Sequence, residues 1–328
     1  MKLTNPYWWQ DRLKYLPLIQ RAFLFYSLSN KFPSALNIEV TNACNLDCSF
    51  CPRKLSGRKI GFMSEPLYKK IIDEVAGEKK LQVLWLMKDG ESLLHPEICE
   101  MVSYAAKKKA AKRIEIYTNG TLLDEEMGRG LIKAHLNVLT VSIDAVDRKE
   151  FEKLKGVDAY EEVVRNTKRF IELKKKMGSK KPMVAVKMVE MKENASGIDR
   201  FRKMWGGIAD SVIIQKLHSW EGSMEEIFNF QFSIFKSPRR YPCNLPWLNP
   251  AIFWDGKVTT CCVNFRENEL VMGDLGYQSL REIWRGEKFK RLRRAHLEQN
   301  FNQFPTCAHC QYWRQLPDMS FWLRRLGV

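Results

Sequence analysis

Three cysteines in the run Val40-Thr41-Asn42-Ala43-Cys44-Asn45-Leu46-Asp47-Cys48-Ser49-Phe50-Cys51-Pro52 most constrain what this chain folds into and holds. The apolar, β-branched stretch Leu36-Asn37-Ile38-Glu39-Val40 precedes them and predicts a strand. The Cys-x3-Cys-x2-Cys group is therefore expected on a loop leaving the C-terminal end of a first strand. Three thiolates on one short loop can hold three irons of a cubane [4Fe–4S] cluster and leave the fourth iron open to a small molecule, whereas a closed cluster takes four thiolates. A zinc knuckle lacking one ligand and unconnected thiols are the alternatives, although zinc usually takes four ligands in Cys-x2–4-Cys pairs.

The 328 residues suffice for two domains or one elaborated α/β domain, and the 45 % hydrophobic content suits a globular core. No apolar run reaches the roughly 18 residues of a membrane-spanning helix. The N-terminus lacks the uninterrupted apolar core and small-residue cleavage site of a secretory signal. Nine cysteines without an export signal are expected to serve metal in a reducing cytoplasm rather than disulfides.

Residues 36–217 alternate strand-like and helix-like segments. Strands are predicted over 36–41, 81–87, 113–118, 137–143, 182–189 and 211–217, with amphipathic helices over 64–76, 96–111, 123–134, 160–177 and 195–205. Strictly alternating βα units imply parallel strands joined by right-handed crossovers. In such folds the chemistry sits at the C-terminal strand ends, which here carry the cysteine loop, Lys88-Asp89-Gly90-Glu91-Ser92, Tyr117-Thr118-Asn119-Gly120, Ser142-Ile143-Asp144, Lys187, and Gln215 with His218.

The cysteine spacing, with Phe50 and Pro52 flanking Cys51, resembles the radical S-adenosylmethionine (SAM) superfamily over residues 36–220. The resemblance implies an α/β fold, a partial (β/α)6 TIM-like barrel, with Cys44, Cys48 and Cys51 as ligands of a [4Fe–4S] cluster whose open iron chelates SAM. One-electron reduction, from a donor such as flavodoxin or ferredoxin, then yields a 5′-deoxyadenosyl radical that abstracts a hydrogen atom. Lys88-Asp89-Gly90-Glu91-Ser92 is similar to the family's Gly-Gly-Glu-Pro motif, matching at Gly90 and Glu91 and departing at Asp89 and Ser92. The motif implies that Gly90 admits the backbone to the SAM amino group and that Glu91 accepts from the SAM ammonium. By the same resemblance Asn119 lies near SAM, Ser142 and Asp144 share the face that points into the barrel, and Lys155 stands where relatives place an arginine for the SAM carboxylate. Lys187 and His218 are candidate proton acceptors at the substrate end.

After residue 220 the composition changes. Residues 221–242 are aromatic and irregular and are read as a linker. Asp255-Gly256 between strand-like flanks predicts a hairpin, and helices are expected over 278–284 and 287–298. Cys243, Cys261, Cys307 and Cys310 supply four thiols for one closed site, for which tetrathiolate zinc is the alternative. The context, from Cys243-Asn244-Leu245-Pro246-Trp247 to Cys307-Ala308-His309-Cys310, resembles the SPASM extension that binds auxiliary iron–sulfur clusters. With no cysteine after Cys310, the pattern is similar to the shorter, one-cluster Twitch form of the butirosin-type radical SAM dehydrogenases, and the Gly256-x4-Cys261 spacing favours Cys261 over Cys262 as ligand. Cys262 is left as a packing thiol or a hydrogen-atom donor facing the active site, and Cys99 as core.

The domains expected are thus an aromatic, basic helical arm over 1–35, the barrel over 36–220, and a linker with a small α+β cluster domain over 221–328. The arm is expected to pack on the barrel or to touch an acidic membrane surface. The formal charge of +16, lowered to about +13 by one three-thiolate and one four-thiolate cluster, suits an anionic small-molecule substrate. The Lys107-Lys108-Lys109 and Lys174-Lys175-Lys176 runs are read as solvated helix faces, and nucleic acid is not the expected partner. The expected activity is SAM-dependent dehydrogenation of a small hydroxylated, sugar-like or phosphate-bearing substrate, with the electron passing to the auxiliary cluster. Radical modification of a peptide by cross-linking, epimerisation or maturation is the alternative.

Overall fold

The computed structural model describes residues 31–217 and 240–316. Most of the N-terminal arm, His218, the linker up to residue 239 and the C-terminal Phe321–Leu326 segment lie outside them. Six strands, β1 (Ala35–Ile38), β2 (Val83–Leu86), β3 (Ile114–Thr118), β4 (Val138–Ser142), β5 (Met183–Glu190) and β6 (Ser211–Lys216), lie side by side in sequence order, each parallel to the next. Between them run α1 (Glu65–Gly77), α2 (Ile98–Lys107), α3 (Glu125–Lys133), α4 (Arg148–Lys155) with α5 (Tyr160–Lys176), and α6 (Ile198–Trp205).

Side chains alternate across a strand, and here the two faces differ in kind. Leu36, Ile38, Leu84, Leu86, Ile114, Ile116, Leu139, Val141, Val184 and Val186 are buried in one core with the apolar stripes of the helices. The intervening positions carry Asn37, Trp85, Glu115, Tyr117, Thr140, Ser142 and Lys187. A polar inner face beneath apolar outer packing is what a barrel with a reactive lumen requires. The strand array does not close on itself, because the free edge of β1 is taken by a strand from the C-terminal region.

That strand, β7 (Ala251–Ile252), pairs parallel to β1 through Asn37↔Ala251 and Ile38↔Ile252. It turns through Asp255-Gly256, as predicted, into antiparallel β8 (Lys257–Thr259) and then β9 (Val271–Asp274). The result is one nine-stranded sheet running β6-β5-β4-β3-β2-β1-β7-β8-β9. Helices α7 (Leu280–Arg285), α8 (Glu287–Glu298) and α9 (Pro305–His309) complete the region. α7 starts at a full capping box between Ser279 and Glu282.

Two helices, α4 and the five-residue α9, differ from the sequence reading, which assigned no helix to residues 145–159 or 305–309. α4 is short and highly charged (Arg-Lys-Glu-Phe-Glu-Lys-Leu-Lys), and only Phe151 and Leu154 give it an apolar face. Two apolar residues are too few for a periodic signal. Its caps were legible instead: Asp147 accepts a hydrogen bond from the Glu150 amide, and Gly156 closes the helix at φ +77°.

The C-terminal region is also joined to the barrel by buried charge. Arg58 donates to both oxygens of Glu39 at 2.7 and 2.6 Å and to Asp89 at 2.9 Å. Lys88 donates to Asp89 at 2.7 Å and to the Asn264 carbonyl at 2.6 Å. The Arg58 guanidinium lies 3.9 Å above the Phe253 ring and its Nε donates to the Phe265 carbonyl. Both cationic and both anionic side chains are at most 3 % exposed. Burial pushes the Glu39 carboxyl up, and the Arg58 hydrogen bonds oppose that. Removing one member of such a set leaves buried charge uncompensated, a cost of about 3–5 kcal/mol. Arg58→Ala should therefore lower the stability of the protein by about 3–5 kcal/mol, read as a shift of the urea unfolding midpoint at unchanged slope.

Candidate active site

The cysteine loop is held from three sides at the C-terminal strand ends. Its Asp47 and Ser49 amides donate to the carbonyls of Lys155 and Leu154, at 3.1 and 3.0 Å, at the end of α4. A Cβ on Gly156 would meet the Asp47 carbonyl oxygen at 2.7 Å, so only glycine lets helix and loop approach this closely. On the second side Gly90 lies flat against the loop backbone: a Cβ there would stand 2.3 Å from the Thr41 carbonyl and 2.6 Å from that of Ala43. The Glu91 amide donates to the same Ala43 carbonyl. On the third side Asn119 donates to Asn45 at 2.8 Å, and Asn45 donates to Thr121.

The thiols of this loop feel one another. Burial pushes Cys48 up to about 11, Lys155 opposing the rise and Cys51, Asp144 and Cys44 adding to it. Cys44 and Cys51 are raised by burial as well.

Around the loop the predicted polar residues converge. Glu91 is buried; its carboxylate accepts from Thr118 Oγ1 at 2.8 Å and from the amides of Leu93 and Asn119 at 3.0 and 2.6 Å. Burial raises its pKa, and these hydrogen bonds oppose the rise. Asp144, with φ +62°, accepts from Ser142 Oγ, from the Val189 amide and from Lys155 Nζ. Lys155 lies 5.4 Å from the Phe50 ring centroid. Burial works against its charge, but Asp144 and Cys48 outweigh it and hold the ammonium above the ordinary lysine value. Asp89, the departure from the glycine-rich motif, is the shared acceptor of Arg58 and Lys88, so a carboxylate stands there because two buried cations meet.

The C-terminal thiols form a second group. Burial pushes Cys243 and Cys307 well up, with Cys261 and Cys310 adding to each. Cys307 is on α9 and Cys310 caps its end. The Cys243 amide donates to His296 Nδ1 at 3.4 Å, and burial lowers that histidine to about 3, leaving it neutral. Burial raises Cys262 to about 12, Cys261 adds to this, and Lys88 of the barrel opposes it. Lys187 lies between the two groups. Its Nζ is 5.4 Å from the Tyr117 ring centroid, and burial pushes its pKa below the ordinary lysine range, with Asp144 and Cys262 opposing and Lys155 reinforcing the shift. His218 lies outside the described residues. Sequence reasoning passed over Arg58 and Arg240, neither of which lies in a motif that marks it.

Two family models match the chain: the radical SAM superfamily over residues 38–193 and the SPASM iron–sulfur cluster-binding domain over residues 243–311. The chain is 24 % identical over 312 residues to the tungsten-containing aldehyde ferredoxin oxidoreductase cofactor-modifying protein of Pyrococcus furiosus, a match covering 84 % of this chain and 86 % of that one. It is 23 % identical over 282 residues to the S-adenosyl-L-methionine-dependent 2-deoxy-scyllo-inosamine dehydrogenase of Niallia circulans, covering 86 % and 94 %. The crystal structure of BtrN in complex with AdoMet and 2-DOIA shares the fold, with a TM-score of 0.58 at 20 % identity over 86 % of this chain and 94 % of that one.

The donor sets suit iron–sulfur clusters, whose positive cores thiolates neutralise. Each group gathers half-buried thiols that make one another harder to ionise, which iron would reverse, and each has basic side chains beside it, Lys155 and Arg53 at the first and Arg240 at the second. Among the described residues no three His, Cys, Asp or Glu side chains close tightly enough around one point for a single metal ion; a four-iron cube spreads its ligands more widely than one ion does. Matched by one model across the barrel and by the other across the C-terminal thiols, the chain belongs to the radical SAM superfamily, with SAM, a SAM-binding [4Fe–4S] cluster and auxiliary iron–sulfur binding as its cofactor set.

Proposed function

We propose that this radical SAM oxidoreductase dehydrogenates a small hydroxylated substrate, sugar-like or phosphate-bearing, held between the barrel strand ends and the C-terminal thiols. Cys44, Cys48 and Cys51 hold the SAM cluster, and Cys243, Cys261, Cys307 and Cys310 the auxiliary one. Lys187 is the observation that carries the reading. It is an ammonium on the polar face of β5 with no carboxylate in ion-pair range among the described residues, lying between Asp144 and Lys155 on one side and Cys262 on the other. A lysine in a half-buried lumen whose pKa is lowered by burial suits proton removal from a substrate hydroxyl. The similarity to a SAM-dependent dehydrogenase over most of both chains supports the same class of reaction.

The SAM side is served by groups with bonding capacity left. A carboxylate offers about four lone-pair sites, and Glu91 uses three within the protein, leaving one for the SAM ammonium. An ammonium has three donors, and Lys155 gives one to Asp144, leaving others for the SAM carboxylate. Asn119, Ser142 and Asp144 fix the walls around them. When bound, the reduced SAM cluster and SAM supply the radical that takes the substrate hydrogen atom, and the auxiliary cluster takes the remaining electron. Lys187 receives the hydroxyl proton. A flavodoxin- or ferredoxin-type protein is the expected reductant. Cys262 faces the same space but returns no hydrogen atom in a net oxidation.

Anaerobically reconstituted protein should hold about eight irons per chain, falling to about four in the Cys44/Cys48/Cys51→Ala variant, since each cube contributes four. Four irons falling to none, with zinc retained, would remove the electron-acceptor role of the second site. For Lys187→Gln we expect turnover lower by about 10²–10⁴-fold, the usual contribution of a general base. In the wild type the rate should rise with pH through the lowered Lys187 pKa, because only the neutral amine accepts a proton, and the variant should lose this limb. A variant that keeps the limb would assign the base elsewhere.

A further inference from the structure

Arg240 is a cation beside the C-terminal thiols to which the reading above gives no part. It enters the described structure just before Cys243 and folds back onto α9. Its Nη1 donates to the Ala308 carbonyl at 2.8 Å and its Nη2 to the Cys307 carbonyl at 2.5 Å. The guanidinium carbon lies 4.1 Å from the Phe301 ring centroid and 5.8 Å from that of Trp313. The fork is thus held by two carbonyls and packed against two aromatic rings. Among the described residues Arg240 has no carboxylate partner, and the charges it meets are the thiols of Cys307, Cys310 and Cys243. Its Nε is buried and has no hydrogen-bond acceptor among the described residues.

These observations suit an anion at the thiols. A guanidinium is always charged, and Arg240 is half-buried with its Nε shielded from water, where a charge without a counter-charge is costly. A [4Fe–4S]²⁺ cube on four thiolates carries a net charge of about −2, and reduction takes it to about −3. A fixed positive charge nearby stabilises the more negative state. An N–H aimed at a cluster sulfur does the same, since net charge and hydrogen bonds to the sulfurs set the potential of such clusters.

We propose that Arg240 poises the auxiliary cluster to accept an electron: anchored on the Cys307 and Ala308 carbonyls, it presents a fixed positive charge and its Nε–H to the cluster sulfurs and raises the cluster's reduction potential. Arg240 is a positioning and tuning residue; it has no contact with substrate. The inference rests on the reading that Cys243, Cys261, Cys307 and Cys310 hold a cluster, but it is measured without substrate or turnover.

The test is a redox titration followed by low-temperature EPR on reconstituted protein, with the auxiliary signal isolated in the Cys44/Cys48/Cys51→Ala background. Arg240→Gln, at unchanged iron content, should make reduction at least tenfold less favourable, a shift of 59 mV or more to lower potential for a one-electron couple. Arg240→Lys keeps the charge and loses the planar fork, and should fall between the two. An Arg240→Gln potential equal to that of the wild type overturns the proposal. Should both variants lose iron, the unmutated protein decides. Labelled with [¹⁵N]arginine, its reduced auxiliary cluster should show a ¹⁵N coupling by pulsed EPR, and absence of that coupling overturns the proposal. A lowered potential with an unchanged ratio of product to SAM cleaved would uphold Arg240's role and sink the electron-acceptor reading instead.

Discussion

The structure depends on the buried meeting of Arg58 and Lys88 with Glu39 and Asp89. Glu39 lies just beyond β1, Lys88 and Asp89 just beyond β2, Arg58 on the loop after the cysteines, and Phe253, Asn264 and Phe265 in the hairpin region that ends the sheet. Two cations and two carboxylates balance in charge, and with the aromatic face of Phe253 they share desolvation that none could bear alone. Because the members come from the barrel and from the C-terminal region, they set the distance between the two groups of thiols. Pairing of β7 with β1 then continues one sheet through both.

The same logic governs the strand ends. Carboxylates there are not left to solvent: Glu91 is taken by Thr118, Leu93 and Asn119, and Asp144 by Ser142, Val189 and Lys155. Fully engaged side chains have fixed rotamers, so the remaining lone pairs and donors are aimed before any ligand arrives. Lys187 and Arg240 are the exceptions. Each is a cation without a carboxylate partner among the described residues, one facing the lumen and one facing thiols. Uncompensated charge at Arg240 is what the proposed anionic cluster would answer.

Much of this was legible beforehand because it rests on local chemistry. Period-two apolar strands, amphipathic helices and the Asp255-Gly256 turn each declare themselves within a few residues, and the strands fall within about three residues of their predicted ends. α4 escaped because Phe151 and Leu154 are its only apolar positions, although Asp147 and Gly156 marked its caps. The departure at Asp89 was visible as an anomaly, but its cause was not, since Arg58 is 31 residues away in the chain. Arg240 was hidden within an aromatic, basic stretch where nothing local separates a tuning cation from a solvated one.

By itself the sequence determined the chemistry carried: thiol spacings that suit iron–sulfur clusters, the glycine that lets Gly90 lie against the cysteine loop, and the alternation that makes the strands parallel. Those follow from the reach of neighbouring residues and from backbone geometry. Only the tertiary structure decided which distant charges neutralise one another, and that Lys155 answers to Asp144 while Lys187 has no such partner among the described residues. Burial and pairing belong to the assembled sheet, and no single stretch of chain can specify a partner that arrives from 200 residues away.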